Sequence, residues 1–158
     1  MTAQEQIQQW KDSGETVVFT NGVFDILHVG HVDYLTQARA LGQRLVVGLN
    51  SDESVSTLGK GPDRPINPEG ARQRVLQGLR AVDLVVIFND HTPFDLIKEV
   101  MPDILVKGGD YSANQTDESA KDYIVGSREV KANGGLVVAI PLVQGYSTTN
   151  ILKKAKNG

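Results

Sequence analysis

The sequence predicts an α/β fold: one doubly wound domain, residues 1–158, built around a mostly parallel five-stranded sheet. Short apolar runs alternate along the chain with stretches whose apolar residues recur at helical spacing, and this alternation implies a parallel sheet covered by helices on both faces. No internal repeat or low-complexity linker divides the chain. With 158 residues, 40% of them hydrophobic, the chain can bury about two thirds of the surface that its unfolded form exposes, so one core is sufficient.

Each element is predicted from its own apolar pattern. The predicted strands are residues 17–19, 45–49, 84–88, 104–106 and 136–140. The predicted helices are an initial helix within residues 2–11, followed by 32–41, 68–80, 93–100, 117–132 and 148–156. We expect Asn21 and Gly22 to form a turn after the first strand. Residues 56–68 contain glycines and prolines, and they predict a loop of the length that often covers a site.

Composition excludes several classes of protein. The chain has no cysteine, so neither a disulfide framework nor thiol chemistry is available. No apolar stretch approaches the roughly 18 residues of a membrane span, and residues 2–11 lack the apolar centre of a signal peptide, so we expect a cytoplasmic protein with no membrane partner. The net charge of −3 argues against nucleic acid as a partner, because proteins that bind the phosphate backbone usually present a basic surface.

A histidine pair marks the first candidate site. His28 and His31 lie three residues apart just after the first predicted strand, so both are expected on one face of the first turn of the next helix. Unpaired backbone N–H groups and the positive end of the helix dipole favour an anion there, and Gly30 is expected to let the anion approach closely. Two imidazoles would add side-chain donors. The sequence therefore predicts a phosphate site.

A structural role or a zinc site would also account for the histidine pair, but less well. A histidine near an apolar face is often only structural. Two histidines at this spacing can share a zinc ion, but His91 is the only other histidine in the chain, and no third ligand has a convincing spacing.

Further polar segments follow other predicted strands. Residues 21–31, 50–64, 107–111 and 145–149 all follow predicted strands, and in open parallel sheets ligands bind beyond the carboxyl ends of the strands. Lys60 and Arg64 would fold over phosphates from the predicted loop, although solvated loop charges are the ordinary alternative. Residues 147–149, Ser-Thr-Thr, open the last helix. One hydroxyl is explained by N-capping, but three favour a second phosphate cradle.

The histidine segment also carries a family resemblance. Residues 22–31 have the pattern G-x-F-D-x-x-H-x-G-H, which resembles the signature of the nucleotidyltransferase superfamily of cytidylyltransferases and adenylyltransferases that act on small phosphorylated metabolites. Other segments follow in order: 50–52 (Asn-Ser-Asp), 60–61 (Lys-Gly), 64–68 (Arg-Pro-Ile-Asn-Pro), 81–83 (Ala-Val-Asp), 106–111 (Val-Lys-Gly-Gly-Asp-Tyr), 132–135 (Ala-Asn-Gly-Gly) and 145–151 (Gly-Tyr-Ser-Thr-Thr-Asn-Ile). Together they resemble the heptose 1-phosphate adenylyltransferases over nearly the whole chain. That domain is often fused to a sugar kinase, which is absent here, so the resemblance implies the stand-alone form.

This resemblance implies a Rossmann-like domain that makes ADP-heptose and pyrophosphate from ATP and D-glycero-D-manno-heptose 1-phosphate, for lipopolysaccharide or another surface glycan. It implies His28, His31 and Lys60 as catalytic residues. The implied nucleotide-binding residues are Thr20, Asn21, Gly22, Val23, Phe24, His28, Gly30, His31, Lys107, Gly108, Tyr146, Ser147, Thr148 and Thr149. The implied sugar-phosphate-binding residues are Asp25, Asn50, Asp52, Arg64, Arg72 and Asp110. Mg²⁺ is expected with ATP, metal ligands are left unassigned, and a homo-oligomer is expected. The family's usual acidic residue just ahead of Arg72 is Gly70 here.

The choice of nucleotide depends on two apolar residues. Leu142 and Val143 stand where the similar cytidylyltransferases typically carry an Arg-Thr pair whose arginine helps to recognise cytosine. An apolar pair suits a purine face better, so ATP is favoured. A glycerol-3-phosphate or ethanolamine-phosphate cytidylyltransferase remains the alternative enzyme. A non-catalytic nucleotide-binding module would be expected to have lost His28, His31 or Lys60, and all three are present.

Overall fold

Five strands and seven helices alternate along residues 1–157, the part of the chain that the computed structural model describes. The strands are β1 (Val17–Gly22), β2 (Arg44–Asn50), β3 (Leu84–Phe88), β4 (Ile104–Gly108) and β5 (Leu136–Ile140). The helices are α1 (Ala3–Asp12), α2 (Val29–Arg39), α3 (Asp52–Ser56), α4 (Glu69–Gln77), α5 (Phe94–Val100), α6 (Ser127–Ala132) and α7 (Thr148–Asn157). Within residues 1–157, no helix has both the length and the apolarity to cross a bilayer.

The strands form one all-parallel sheet in the order β3-β2-β1-β4-β5. Val18 in the central strand lies between Leu45 of β2 and Ile104 of β4. Strands β2 and β3 are added on one side of β1, and strands β4 and β5 are then added on its other side. Such a reversal leaves a crevice beyond the carboxyl ends of the two strands on either side of it, which is where ligands bind in doubly wound folds. The predicted α/β, doubly wound, Rossmann-like fold is confirmed.

Both faces of the sheet are covered, because successive strand residues point to opposite sides and both sets are apolar. On one face the strands pack against α2 and α4, with these residues at the centre: Val18, Leu35, Leu45, Val47 and Leu76. On the other face they pack against α1, α5 and α6, through these residues: Ile7, Phe19, Val46, Ile97, Leu105 and Val130. The helices therefore fix the sheet from both sides and leave its carboxyl edge open.

The first strand is longer than the sequence predicted. Asn21 and Gly22 were expected to turn, but they pair with Gly48 and Leu49 of β2 and extend the strand. The expected turn is therefore wrong. A neighbouring strand of matching length supplies hydrogen-bond partners at these positions, and this pairing outweighs the local turn preference of an Asn-Gly pair.

Two helices also differ from expectation. Only Ser127–Ala132 is helical within the predicted helix 117–132. Gly126 has a φ of 86°, and the carboxylate of Asp117 accepts from the backbone N–H of Ser119, so turns occupy the first part of the segment. The short helix α3 was not predicted. Its N-cap is Ser51, whose hydroxyl accepts from the N–H of Ser54.

Candidate active site

A cavity of about 660 Å³ opens at the carboxyl edge of the sheet, where the strand order reverses. Most of the residues predicted to bind substrates line it: Asn21, Gly22, Val23, Phe24, Asp25, His28, Gly30, His31, Asn50, Lys60, Arg64, Lys107, Gly108, Tyr146, Ser147, Thr148 and Thr149. The four polar segments that follow different strands therefore meet in one crevice.

The histidine pair caps the helix on which it stands. His28 is the N-cap of α2, and its Nδ1 accepts a hydrogen bond from the N–H of Gly30 at 3.0 Å. The Nδ1 of His31 accepts in turn from the N–H of His28 at 3.3 Å, which completes a reciprocal capping box. The two rings stack with their centroids 3.9 Å apart. This capping explains why α2 begins at Val29, three residues before the predicted start.

Capping also fixes the tautomer of both rings. A neutral imidazole has one donor nitrogen and one acceptor nitrogen, so each accepting Nδ1 leaves its proton on Nε2. Burial, together with the charge that His28 would carry, lowers the pKa of His31 to about 4. Burial also lowers the pKa of His28. At neutral pH the free protein therefore presents two neutral rings whose Nε2–H groups have no partner among the described residues.

Gly30 was expected to let an anion approach, but its neighbour in the structure is the ring of His28. A Cβ at this position would lie 2.8 Å from Cε1 and 2.9 Å from Nδ1 of His28, a distance that real Cβ atoms avoid. The glycine therefore makes room for the capping ring and not for an approaching anion. Because that ring also uses the Gly30 N–H, an anion here would meet the imidazole donors more than the end of the helix backbone.

The ring of Phe24 packs against that of His31. Its φ of 48° places a bulky residue in the left-handed region, and its ring fills the space above Gly22, where a Cβ would lie 2.8 Å away. The same ring meets that of His31 edge to face, with 5.5 Å between the centroids. The spacing of glycine, phenylalanine and histidine in the motif is thus a packing arrangement that holds His31.

Asp25 lines the cavity, but its carboxylate accepts hydrogen bonds from other residues of the chain. It accepts from Arg64 Nε at 2.9 Å and from the backbone N–H groups of Ile66 and Asn67 at 2.8 and 2.9 Å. Its own carbonyl accepts from Asn67 Nδ2 at 2.8 Å. Burial would raise the pKa of Asp25, but these donors outweigh it and leave that pKa below the ordinary value. Asp25 therefore anchors residues 64–67, the far end of the covering loop.

Arg72 is buried behind the cavity wall. Its guanidinium donates to the carbonyls of Val23, Asn50 and Asn67, and to the carboxylate of Asp52 at 2.8 Å. All three of its nitrogens are therefore engaged with the protein. The structure places Arg72 and Asp52, both expected to contact the sugar phosphate, as braces that join the loops after β1 and β2 to the segment before α4.

Two other predicted residues lie outside the cavity lining. Thr20 is fully buried, and its hydroxyl lies 2.5 Å from that of Tyr34, which does line the cavity. Asp110 is exposed at the turn after β4 and is not among the lining residues. Thr20 therefore reaches the cavity only through a neighbour, and the structure places the side chain of Asp110 outside the crevice.

Two lysines give the cavity positive charge. Lys107 lies with its Nζ 5.2 Å from the ring centre of Tyr111, and Lys60 lies on the covering loop. Burial of the Lys107 ammonium, followed by the charge of Lys60, lowers the pKa of Lys107 to about 8. Among the described residues, neither lysine has a carboxylate within ion-pair distance. Such an unpaired set of cations suits a polyanionic ligand.

The last helix begins at the rim of the cavity. Ser147 Oγ accepts from the N–H of Asn150 at 3.0 Å, and the hydroxyl of Thr148 donates to the carbonyl of Ile26 at 3.3 Å. Ser147 therefore has the capping role that one hydroxyl was expected to have. Thr148 ties α7 to the loop that carries His28, and Thr149 lines the cavity beside it.

Sequence reasoning did not assign every lining residue. The further ones are Tyr34, Leu58, His91, Thr92, Pro93, Tyr111, Ile124 and Val125. His91 follows β3, so the rule that placed the other segments at strand ends also applies to it. Ile124 and Val125 belong to the irregular segment before α6, and no sequence signal would have placed them here. Leu142 and Val143, which were expected to face the nucleotide, line the cavity just after β5.

The residues do not form a metal cage. Within residues 1–157, no three histidine, aspartate or glutamate side chains are grouped so that they could hold a metal ion. This disfavours the zinc interpretation of His28 and His31, whose Nδ1 atoms already accept backbone N–H groups. Mg²⁺ commonly binds through nucleotide phosphates with few protein ligands, so the site fits a magnesium ion that arrives with its nucleotide.

The chain resembles known proteins over most of its length. Residues 19–154 match the family model described as cytidylyltransferase-like. Bifunctional protein HldE of Magnetococcus marinus is 54% identical over 152 residues, which is 96% of this chain and 29% of that protein. Bifunctional protein HldE of Bradyrhizobium diazoefficiens is 52% identical over 153 residues, 97% of this chain and 29% of that protein. The chain thus spans less than a third of the length of these curated relatives.

Solved structures share the fold. The crystal structure of the lipopolysaccharide core biosynthesis protein from Thermoplasma volcanium has a TM-score of 0.62 and 29% identity, and the match covers 85% of this chain and 100% of that one. The pantothenate synthetase from Thermus thermophilus has a TM-score of 0.58 at 17% identity, over 96% of this chain and 68% of that one. The second likeness concerns the fold alone.

Proposed function

Because the chain belongs to the cytidylyltransferase-like family, we propose that it transfers AMP from ATP to D-glycero-D-manno-heptose 1-phosphate and releases pyrophosphate. The observation that carries the proposal is the pair of neutral imidazoles, His28 and His31, whose Nε2–H groups remain available in a cationic cavity at the sheet's switch point. The HldE relatives and the lipopolysaccharide core biosynthesis protein support heptose and surface-glycan chemistry as its setting.

The cavity lining divides into three parts that match the parts of these substrates. Leu142 and Tyr146 follow β5, and their exposed side chains give apolar and aromatic surface against which a purine could pack. The histidines and lysines in the middle suit the phosphates. Asn50 and Arg64, on the β2 side, offer polar groups to the sugar phosphate.

The reaction needs no covalent enzyme intermediate. An oxygen of the sugar phosphate, already anionic near neutral pH, attacks the α-phosphorus of ATP in line; the new P–O bond forms as the bond to pyrophosphate breaks. The Nε2–H groups of His28 and His31 donate to oxygens of the α-phosphate, and these bonds strengthen as charge develops. Lys60 and Lys107 offset the charge of the leaving pyrophosphate. ATP is expected as its Mg²⁺ complex, so EDTA should stop turnover and added Mg²⁺ should restore it.

A pyrophosphate-release assay tests the proposal. ATP, CTP and GTP are each combined with the heptose 1-phosphate anomers and with glycerol 3-phosphate, and His31→Ala is the control for contaminating activity. We expect ATP with a heptose 1-phosphate to be the best pair, and ATP to exceed CTP by at least about tenfold in kcat/KM, or about 1.4 kcal/mol. Preference for CTP with glycerol 3-phosphate would overturn the heptose assignment in favour of a cytidylyltransferase.

A further inference from the structure

A third histidine lines the cavity with the opposite hydrogen-bonding character. His91 lies just beyond the end of β3, and its Nδ1 is 2.8 Å from the hydroxyl oxygen of Thr57. That hydroxyl is in turn 2.6 Å from the carbonyl oxygen of Ser54. A carbonyl only accepts, so the single hydroxyl proton of Thr57 is donated to Ser54. The oxygen of Thr57 must then accept from His91, which places a proton on Nδ1.

In its neutral form, the ring of His91 therefore presents an unprotonated Nε2. In His28 and His31 the arrangement is reversed, because their Nδ1 atoms accept backbone N–H groups and their Nε2 atoms carry the protons. Nε2 of His91 has no partner among the described residues. The cavity thus combines two imidazole donors near its centre with one imidazole acceptor on its β3 side.

His91 is exposed, and its ring is positioned by the bond to Thr57 at the end of α3. Thr57 ends helix α3, whose residues Ser54 and Val55 are buried. The Ser54 hydroxyl donates to the carbonyl of Asp90 at 2.5 Å, directly before His91 in the chain. The loop after β3 and helix α3 are therefore joined by two hydrogen bonds, one made by the His91 ring and one by the carbonyl of Asp90.

We propose that His91 is a specificity-determining residue, and that its Nε2 accepts a hydrogen bond from a hydroxyl group of the sugar phosphate. This inference rests on the proposed function. An acceptor nitrogen disfavours a phosphate oxygen, which has no proton to donate at neutral pH, and favours an alcohol. β3 and β5 are the two edges of the sheet, about 19 Å apart at the usual strand spacing. A hydroxyl at His91 therefore belongs to the acceptor substrate and not to the nucleotide base near Leu142.

Two substitutions separate this role from a merely structural one. His91→Asn keeps an N–H near the position of Nδ1, and so keeps the bond to Thr57, but removes the acceptor at Nε2. His91→Gln places an amide oxygen near the position of Nε2 and gives up the bond to Thr57. We expect His91→Asn to raise KM for heptose 1-phosphate about five- to tenfold with KM for ATP unchanged, the worth of one neutral hydrogen bond. His91→Gln should stay within about twofold of wild type.

The reverse order, with His91→Gln impaired and His91→Asn normal, would overturn the proposal and make His91 a brace for α3. Equal KM values for wild type and both variants would overturn it as well. The proposed function is tested separately by the wild-type protein. Failure of the wild type to release pyrophosphate with any heptose 1-phosphate refutes that function, whereas an active wild type with an unaffected His91→Asn variant refutes only the role of His91.

A spectroscopic measurement tests the tautomer without any activity. The ¹⁵N shifts of the imidazoles in the wild-type protein at neutral pH should show the proton on Nδ1 for His91, and on Nε2 for His28 and His31. A proton on Nε2 of His91 would overturn the inference, because the acceptor would then face Thr57 and not the cavity. This readout does not depend on whether the variants fold.

Discussion

At the scale of single residues, the histidine motif is a helix cap in which both Nε2 atoms have no partner among the described residues. His28 occupies the N-cap and His31 the third helical position, the two places where a capping box forms. The hydrogen bonds that cap α2 also fix the tautomers of His28 and His31. The start of the helix and the pair of Nε2–H donors therefore depend on the same two bonds. Replacing a histidine by alanine would therefore remove a cap and a donor together. Other substitutions can separate the two.

We predict that the histidines act mainly on the transition state. His28→Ala and His31→Ala should each lower kcat by about a hundredfold or more, with a smaller change in KM for ATP. His28→Asn and His31→Gln are the matched controls, because asparagine is a good N-cap and glutamine suits the third position of a capping box. Their melting temperatures should remain close to wild type while kcat stays low. A near-normal kcat in either alanine variant would contradict the donor role.

A second residue-scale prediction concerns Lys107 and pH. Its pKa of about 8 lies below the ordinary value of 10.5, so the free protein loses this charge as the pH rises through 8. KM for ATP should therefore increase above about pH 8. Lys107→Arg should bind ATP without this dependence, since arginine stays protonated. Lys60→Ala should move the change to higher pH because it removes a neighbouring like charge. A wild-type KM that is flat from pH 7 to 9.5 would count against this account.

Between pH 8 and 10.5 the unfolded chain holds more protons on Lys107 than the folded protein does. The contribution of this group to stability therefore rises with pH across that window. The sign is opposite to that of the effect on ATP binding, so a loss of affinity above pH 8 would not be a sign of unfolding.

At the scale of elements, the loop between α3 and α4 is anchored at both ends by packing and hydrogen bonds, and its middle has no such anchor among the described residues. Its first end follows the buried residue Val55 of α3, and its last part, residues 64–67, is held by Asp25 and Arg72. Between them Gly59 and Gly61, at φ of 70° and 100°, flank Lys60. The expected loop of residues 56–68 is thus divided into a short stretch carrying Lys60, for which the structure, within residues 1–157, gives no side-chain hydrogen bond, and an anchored stretch carrying Arg64.

We predict that this stretch orders when phosphates bind. Trypsin should cut after Lys60 quickly in the free protein and more slowly with MgATP. Asp25→Asn should speed cleavage and raise KM for the sugar phosphate, because residues 64–67 lose their carboxylate anchor. Asp63→Asn, at an exposed position in the same loop, is the matched control and should resemble wild type. Cleavage that does not respond to nucleotide would mean an ordinary surface loop.

The hydrogen bonds to Asp25 should also affect how the free energy of unfolding depends on acid pH. Its folded pKa lies below the ordinary value, so the stability it contributes is present above the unfolded pKa and is lost as the pH falls through the folded one. Denaturant titrations below pH 4 should therefore show less acid sensitivity for Asp25→Asn than for wild type. A parallel acid dependence of the two proteins would contradict the anchor.

At the scale of the whole molecule, the site exists because the sheet reverses its order at β1 and β4. Because all five strands are parallel, the segments after them lie at one edge, and the reversal opens a crevice there with apolar residues toward β5 and polar ones toward β2 and β3. A long substrate pair can then lie across the edge with its phosphates at α2. We therefore expect the base to bind near β5 and the sugar near β2 and β3.

We predict that cells lacking the protein make truncated heptose-containing surface glycan. A plasmid copy should restore the glycan, and a copy carrying His31→Ala should fail although it accumulates to the same level. Intact glycan in a deletion strain with no second such enzyme would refute the heptose assignment and leave the phosphate site standing. The cytoplasmic location stays a prediction that fractionation of the same cells tests.

We also expect a homo-oligomer. Light scattering coupled to gel filtration at micromolar concentration should give a mass that is a multiple of 17.1 kDa. A monomer at those concentrations that also releases pyrophosphate would show that the cavity of a single chain is sufficient.

The sequence alone determined the features that depend on local pattern. The alternation of strands and helices required a parallel sheet, and the position of His28, His31, Lys60 and Ser147 after strands placed them at its carboxyl edge. Neighbouring residues set these patterns, through side-chain periodicity and the order of elements, so no long-range contact was needed to infer them.

Only the tertiary structure decided what depends on distant partners. Arg72 and Asp25 are charged residues that sequence assigned to substrate, yet their bonds to Asn50, Asp52 and residues 64–67 make them braces. β1 runs through Asn21 because β2 supplies a partner there. These outcomes are fixed by hydrogen bonds between segments some 20 to 50 residues apart. A buried charge or backbone group takes whichever partner the fold brings to it, and local sequence does not name that partner.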